Sequence, residues 1–132
     1  MKKLFLLTFA ILMTSNIALA CGGIMLKGKY CMSKHTMNWY SASAWCQAQG
    51  MNLVDVKEEC GTLGGYNACT ALDWTSDEEA IIKEKVGALK EAWTNTSVSA
   101  GNAYAVNWNG NISGYTLSNL SRTGLSLLAL CK

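Results

Sequence analysis

The chain has 132 residues with 11 Lys and Arg against nine Asp and Glu, no proline and six cysteines. That length suits one domain. The balanced charge removes the broad basic surface that a nucleic-acid binder needs, so no nucleic-acid partner is expected.

The N-terminus reads as a secretory signal peptide over residues 1–20. Lys2 and Lys3 give a positive start, an apolar run follows from Leu4 to Met13, and Ala18-Leu19-Ala20 supplies the small-x-small cleavage pattern. The apolar run is too short for a membrane-spanning helix of about 20 residues, and no later stretch is long enough either. The Met-Lys-Lys opening has a bacterial look. Removing residues 1–20 leaves 112 residues, and removing Lys2 and Lys3 leaves nine basic against nine acidic groups, a net charge of zero. The expected location is therefore secreted or periplasmic. Cys21, directly after the cut, is open to a second fate as a lipid anchor, although the residue three places before it is Ala18 rather than leucine.

All six cysteines follow the cleavage point, and an even count in an exported domain argues for three disulfides whose pairing the spacing alone leaves open. Gly22-Gly23 and the apolar residues up to Tyr30 suggest a small strand or hairpin, and a clip between Cys21 and Cys31 would pin it. Residues 38–49 read as a helix with Asn38 as N-cap and Gly50 just past its end. Trp39, Ala42, Trp45, Cys46 and Gln49 share its core-facing side. Met51 to Val56 is expected to be a short strand, followed by a glycine-rich loop closed most simply by Cys60–Cys69. Ser76 and Glu79 form a Ser-x-x-Glu capping box, so a second helix is expected over 77–91, burying Ile82, Val86, Leu89 and Trp93. Strands follow at 103–108, at 112–117 after an Asn109-Gly110 turn, and at 125–131. The plan is α+β, with two helices packed on a small, mainly antiparallel sheet.

Two segments resemble C-type-lectin-like domains. Trp39-x-x-Ala42-x-x-Trp45-Cys46-x-x-x-Gly50-x-x-Leu53 is similar to the family's first-helix signature, and Leu128-Ala129-Leu130-Cys131 to its closing strand. The resemblance implies a Cys46–Cys131 disulfide and an N-terminal Cys21–Cys31 bridge. It also implies that Trp93-Thr94 opens the core sheet. Closing so long a loop with Cys46–Cys131 would stabilise by roughly 4 kcal/mol on the chain-entropy account. The chain departs from the family by lacking the Trp-Ile-Gly-Leu motif and by placing its third pair early, at Cys60 and Cys69.

Sugar-binding members of that family hold calcium through Glu-Pro-Asn or Gln-Pro-Asp and Trp-Asn-Asp motifs. This chain has no proline, Trp108-Asn109-Gly110 lacks the aspartate, and no Asp or Glu follows Glu91. Calcium asks for roughly six to eight oxygens, several from carboxylates, so no calcium, other metal or cofactor is expected. His35 is the single histidine and reads as a solvated loop residue. Glu58-Glu59 reads as a solvated turn, and no nucleophile elbow or phosphate loop occurs, so the chain is not expected to be an enzyme. Uncharged amides and aromatics cluster late: Asn95, Tyr104, Asn107, Trp108, Asn109, Asn111 and Tyr115. These residue types suit recognition of a glycan or an extracellular protein, although the aromatics serve core packing equally well. The functional expectation is a secreted, calcium-independent lectin-like binding module. The alternative is a small envelope-associated structural protein without a ligand pocket.

Overall fold

The computed structural model describes residues 21–61, 63, 70–88, 91–108 and 115–132. The expected signal peptide, Cys69 and the Asn109-Gly110 turn lie outside these residues. Ten elements follow in chain order: β1 (Ile24–Leu26), β2 (Tyr30–Met32), α1 (Trp39–Gln47), α2 (Val56–Cys60), a 3-10 turn (Thr70–Leu72), α3 (Ser76–Val86), β3 (Glu91–Ser97), β4 (Asn102–Asn107), β5 (Thr116–Ser121) and β6 (Leu128–Cys131). The fold is α+β. Its six strands form one sheet in the order β1-β2-β6-β3-β4-β5. Every pairing is antiparallel except β3 with β6.

The sheet is covered on both faces, and side-chain alternation sorts residues between two cores. Leu128 and Leu130 of β6 join Ala92, Val106, Trp108, Ile82, Tyr30 and Trp74 on one side. Ala129 and Cys131 join Trp93, Ala103, Ala105, Ala42 and Cys46 on the other. The second side is lined by small residues because α1 lies close against β6 and β3 there. The disulfide Cys46–Cys131 fastens that contact, and Cys21–Cys31 fastens the N-terminus beside β2. Both pairs are those the family resemblance implied. Cys21 thus gives its sulfur to Cys31, which leaves none for a lipid. Cys60 is also disulfide-bonded.

α1 begins as expected, with the Asn38 side chain accepting from the Ser41 amide at 2.9 Å, and Gly50 takes the left-handed conformation that ends its last turn, φ +73°. At the hairpin before it, Gly23 has no room for a side chain: a Cβ there would sit 2.1 Å from the Met32 carbonyl oxygen.

Several expectations need correction. The 51–56 segment is not a regular strand. Leu53 makes one bridge to Cys131, and the Asp55 carboxylate then accepts from the Lys57 and Glu58 amides and starts α2. The described residues therefore hold three α-helices rather than two. The capping box is Thr75–Glu78, one residue ahead of Ser76–Glu79. The Thr75 hydroxyl accepts from the Glu78 amide at 3.2 Å and the Glu78 carboxylate from the Thr75 amide at 2.9 Å. Glu79 instead pairs with Lys83. α3 stops at Val86 because Gly87 turns the chain with φ +98°. Trp93 consequently belongs to β3, and Leu89 lies outside the described residues. Residues 112–114 of the expected return strand lie outside the described residues; the strand runs Thr116–Ser121, in the register Val106↔Leu117. The closing strand is Leu128–Cys131, with Leu127 contributing only an isolated bridge to Met37.

Replacing Cys46 and Cys131 together by alanine is expected to lower stability by about 4 to 5 kcal/mol. The same change at Cys21 and Cys31 should cost about 2 to 3 kcal/mol, because the loop it opens spans 10 rather than 85 residues. Urea unfolding of the two double variants measures the difference.

Candidate functional site

The late residues that suit recognition do not gather at one place. Trp108 and Tyr115 are corrections: both are core residues rather than surface ones. Trp108 is fully buried and its indole N–H donates to the Leu72 carbonyl at 2.9 Å. Tyr115 is buried, with its hydroxyl donating to Cys60 Sγ at 3.2 Å. Burial and the nearby Asp73 carboxylate raise the Tyr115 phenol above its usual range. Aromatic area of this size contributes more in a core than at a wet surface. Asn95 is exposed, while Tyr104 and Asn107 are half-buried on β4. Tyr104 stands opposite Asn119, whose amide oxygen accepts from Asn102 Nδ2 at 2.9 Å. Asn109 and Asn111 lie outside the described residues.

The Glu58-Glu59 pair is not a solvated turn. The Glu59 side chain is only 6 % exposed and forms a 2.7 Å ion pair with Lys132. Its other oxygen accepts from the Tyr30 hydroxyl at 2.7 Å. Together with Asn52, Asp55 and Glu58 it lines a polar cleft of about 250 Å³. Burial pushes the Glu59 carboxyl up. Hydrogen bonds from Lys132 and Tyr30, with the charges of Lys132 and Lys29, more than offset that, and it sits below the usual carboxylate range. Tyr30 moves the other way, raised by its own burial and by the hydrogen bond and charge of Glu59. A general acid needs a raised carboxyl pKa. Glu59 has a lowered one and both oxygens engaged, which is the chemistry of a structural ion pair tying α2 to the chain beyond β6.

The surface best prepared for a ligand involves residues outside the late cluster. Arg122, just past β5, lays its guanidinium over the Trp39 ring at 4.1 Å from the centroid. Its Nη2 donates to Ser97 Oγ at 3.0 Å. The backbone is held as well, since Trp39 N donates to Arg122 O and Arg122 N to Gly101 O. Trp39 is fixed in turn by its indole N–H, which donates to the Thr94 carbonyl at 2.8 Å. Tyr40 meets Trp39 edge-on at 5.2 Å and is 49 % exposed. An aromatic plane, a guanidinium and a hydroxyl thus share one rigid patch at the start of α1. Helix phase makes the patch, because Trp39 lies on the core side of α1 while its neighbour Tyr40 points to solvent. One sequence signal was available: Arg122 is the only charged residue between Glu91 and Lys132. Nothing local in the sequence joins it to Trp39. Among the described residues, no three His, Cys, Asp or Glu side chains converge as metal donors would.

No family model and no curated protein matches the sequence. Among solved structures the chain is similar to the C-type-lectin-like domain of mouse CD72a. The match has 10% identity, covers 83% of this chain and 89% of that one, and has a TM-score of 0.49.

The Glu59 ion pair makes a testable contribution to acid stability. A carboxyl lowered in the folded state stabilises at neutral pH, and the contribution disappears as pH falls through its folded value. Glu59→Gln should therefore be less stable than the parent at pH 7. The gap should narrow below about pH 4, as followed by urea midpoints across pH.

Proposed function

We propose that residues 21–132 form a secreted, C-type-lectin-like module that binds a glycan without calcium. The observation that carries this reading is the Arg122–Trp39–Tyr40 patch. Its side chains are ordered before any ligand arrives, so little conformational entropy is lost on binding. Exposed aromatic rings stack on the apolar faces of sugars, and flanking hydroxyl and guanidinium groups hydrogen-bond their substituents.

Three further points support the reading. The disulfides Cys46–Cys131 and Cys21–Cys31 are those implied by the family resemblance and suit an oxidising compartment. Among the described residues, no helix is long and apolar enough to cross a membrane. The carboxylate-free run after Glu91 leaves calcium without its preferred ligands where the resembled family places them. On this reading, cleavage after Ala20 releases the module with Cys21 at its N-terminus.

A glycan array probed with the mature protein, with and without EDTA, tests the proposal. Binding should persist in EDTA, and Tyr40→Ala should weaken it by roughly fivefold, the loss of one stacking contact worth about 1 kcal/mol. Tyr40 is exposed, so the variant should fold. Binding abolished by EDTA would refute calcium independence. Binding unchanged by Tyr40→Ala would remove this patch from the site.

A further inference from the structure

We infer that the ligand of this patch carries a carboxylate, held by Arg122, and belongs to the acidic sugars: uronic acids or sialic-acid-type residues. The inference rests on the glycan-binding reading and specifies its ligand.

Arg122 is an unusual charge. It is the only charged side chain between Glu91 and Lys132. The ion pairs among the described residues are Lys83–Glu79 and Lys132–Glu59, and neither involves it. It is half-buried, and its Nε is fully buried without a hydrogen-bond partner. A guanidinium carries donors on Nε, Nη1 and Nη2 and accepts nothing. Here Nε faces into the protein and Nη2 gives one hydrogen bond to Ser97. The remaining donors, at the Nη1–Nη2 end, form the fork that fits the two oxygens of a carboxylate. A cation drawn partly out of water without a counter-charge is costly. Stacking on Trp39 compensates in part, and an incoming carboxylate would complete the compensation.

The surroundings choose between sources of that carboxylate. An acidic peptide or a polyanion is drawn by a field of several basic groups. Arg122 is the only charged residue in the stretch from 92 to 131, and its hydrogen-bond partner Ser97 is neutral. One positive charge beside one exposed aromatic matches a ligand with one carboxylate per ring and neutral hydroxyls elsewhere. Tyr40 and Arg122 both contact Trp39, so they lie within the span of one or two sugar rings. Tyr40 would take the ring face and Arg122 the carboxylate.

The test compares ligands first and variants second. Binding of the mature protein is measured by calorimetry in EDTA for two pairs: trigalacturonate against the same trisaccharide with its carboxyls reduced to alcohols, and sialyllactose against lactose. In at least one pair the acidic member should bind about tenfold or more tightly than its neutral counterpart, as expected for hydrogen bonds to a charged group. Arg122→Gln should abolish that preference, and Arg122→Lys should restore only part of it, because lysine keeps the charge and loses the fork. Intact disulfides by mass mapping and an unchanged circular dichroism spectrum establish that each variant folds; the ligand comparison needs no variant. Equal binding of acidic and neutral members would overturn the carboxylate inference and leave the glycan module standing. Binding of neither pair, with no neutral glycan bound on the array, would overturn both. Capture of poly-glutamate in place of either sugar would overturn the inference in favour of an acidic protein partner.

Discussion

None of the four residues of β6 is exposed to solvent. Its neighbours are β2 on one edge and β3 on the other, and each face is covered by a core. Leu128 and Leu130 fill the side shared with Trp108, Tyr30 and Ile82, while Ala129 and Cys131 leave room for α1 to approach. A strand buried on both faces tolerates no slip in register, because a shift of one residue would bring leucines against the helix in place of Ala129 and Cys131. Cys46–Cys131 locks that register covalently. The parallel pairing of β6 with β3 and its antiparallel pairing with β2 then place both halves of the sheet.

The candidate site follows from the same constraint. With α1 held against β3 and β6, its first residues stand over the β3–β4 end of the sheet. Trp39 reaches the Thr94 carbonyl, and the Trp93 indole donates to the Met37 carbonyl just before the helix. The turn after β5 delivers Arg122 to the exposed side of Trp39, with Arg122 N anchored on Gly101. The candidate patch is therefore a by-product of core packing. The tryptophan that closes the core also supplies the surface on which the cation rests, so the groups of the patch are held by the fold itself.

The two titratable clusters divide the roles. Glu59, Tyr30 and Lys132 satisfy one another, and their shifts are those of a closed network. Such a network stabilises and has little left to offer a ligand. Arg122 has no carboxylate partner among the described residues and still has donors to give. That contrast, rather than the abundance of asparagine and tyrosine late in the chain, separates a structural polar group from a candidate binding one.

Much of the architecture was legible in local pattern. Asn38 and Gly50 bracket α1, and the Cys46 and Cys131 neighbourhoods announce the joined helix and closing strand. The capping pattern before α3 is real although shifted, since Thr75-x-x-Glu78 and Ser76-x-x-Glu79 both satisfy it. Only the burial of Trp74 and Ile82, together with the hydrogen bond from Lys27 N to the second Glu78 oxygen, selects the first. The sequence by itself determined the α+β class and the acid-free C-terminal region, because these rest on periodicity and composition, while the Cys46–Cys131 and Cys21–Cys31 pairings were implied by the family resemblance and not by spacing. The tertiary structure alone decided that Trp108 and Tyr115 turn inward, that Glu59 is paired, and that Arg122 meets Trp39. Which face of a strand is covered, and which distant residues become neighbours, depend on long-range packing that no local pattern records.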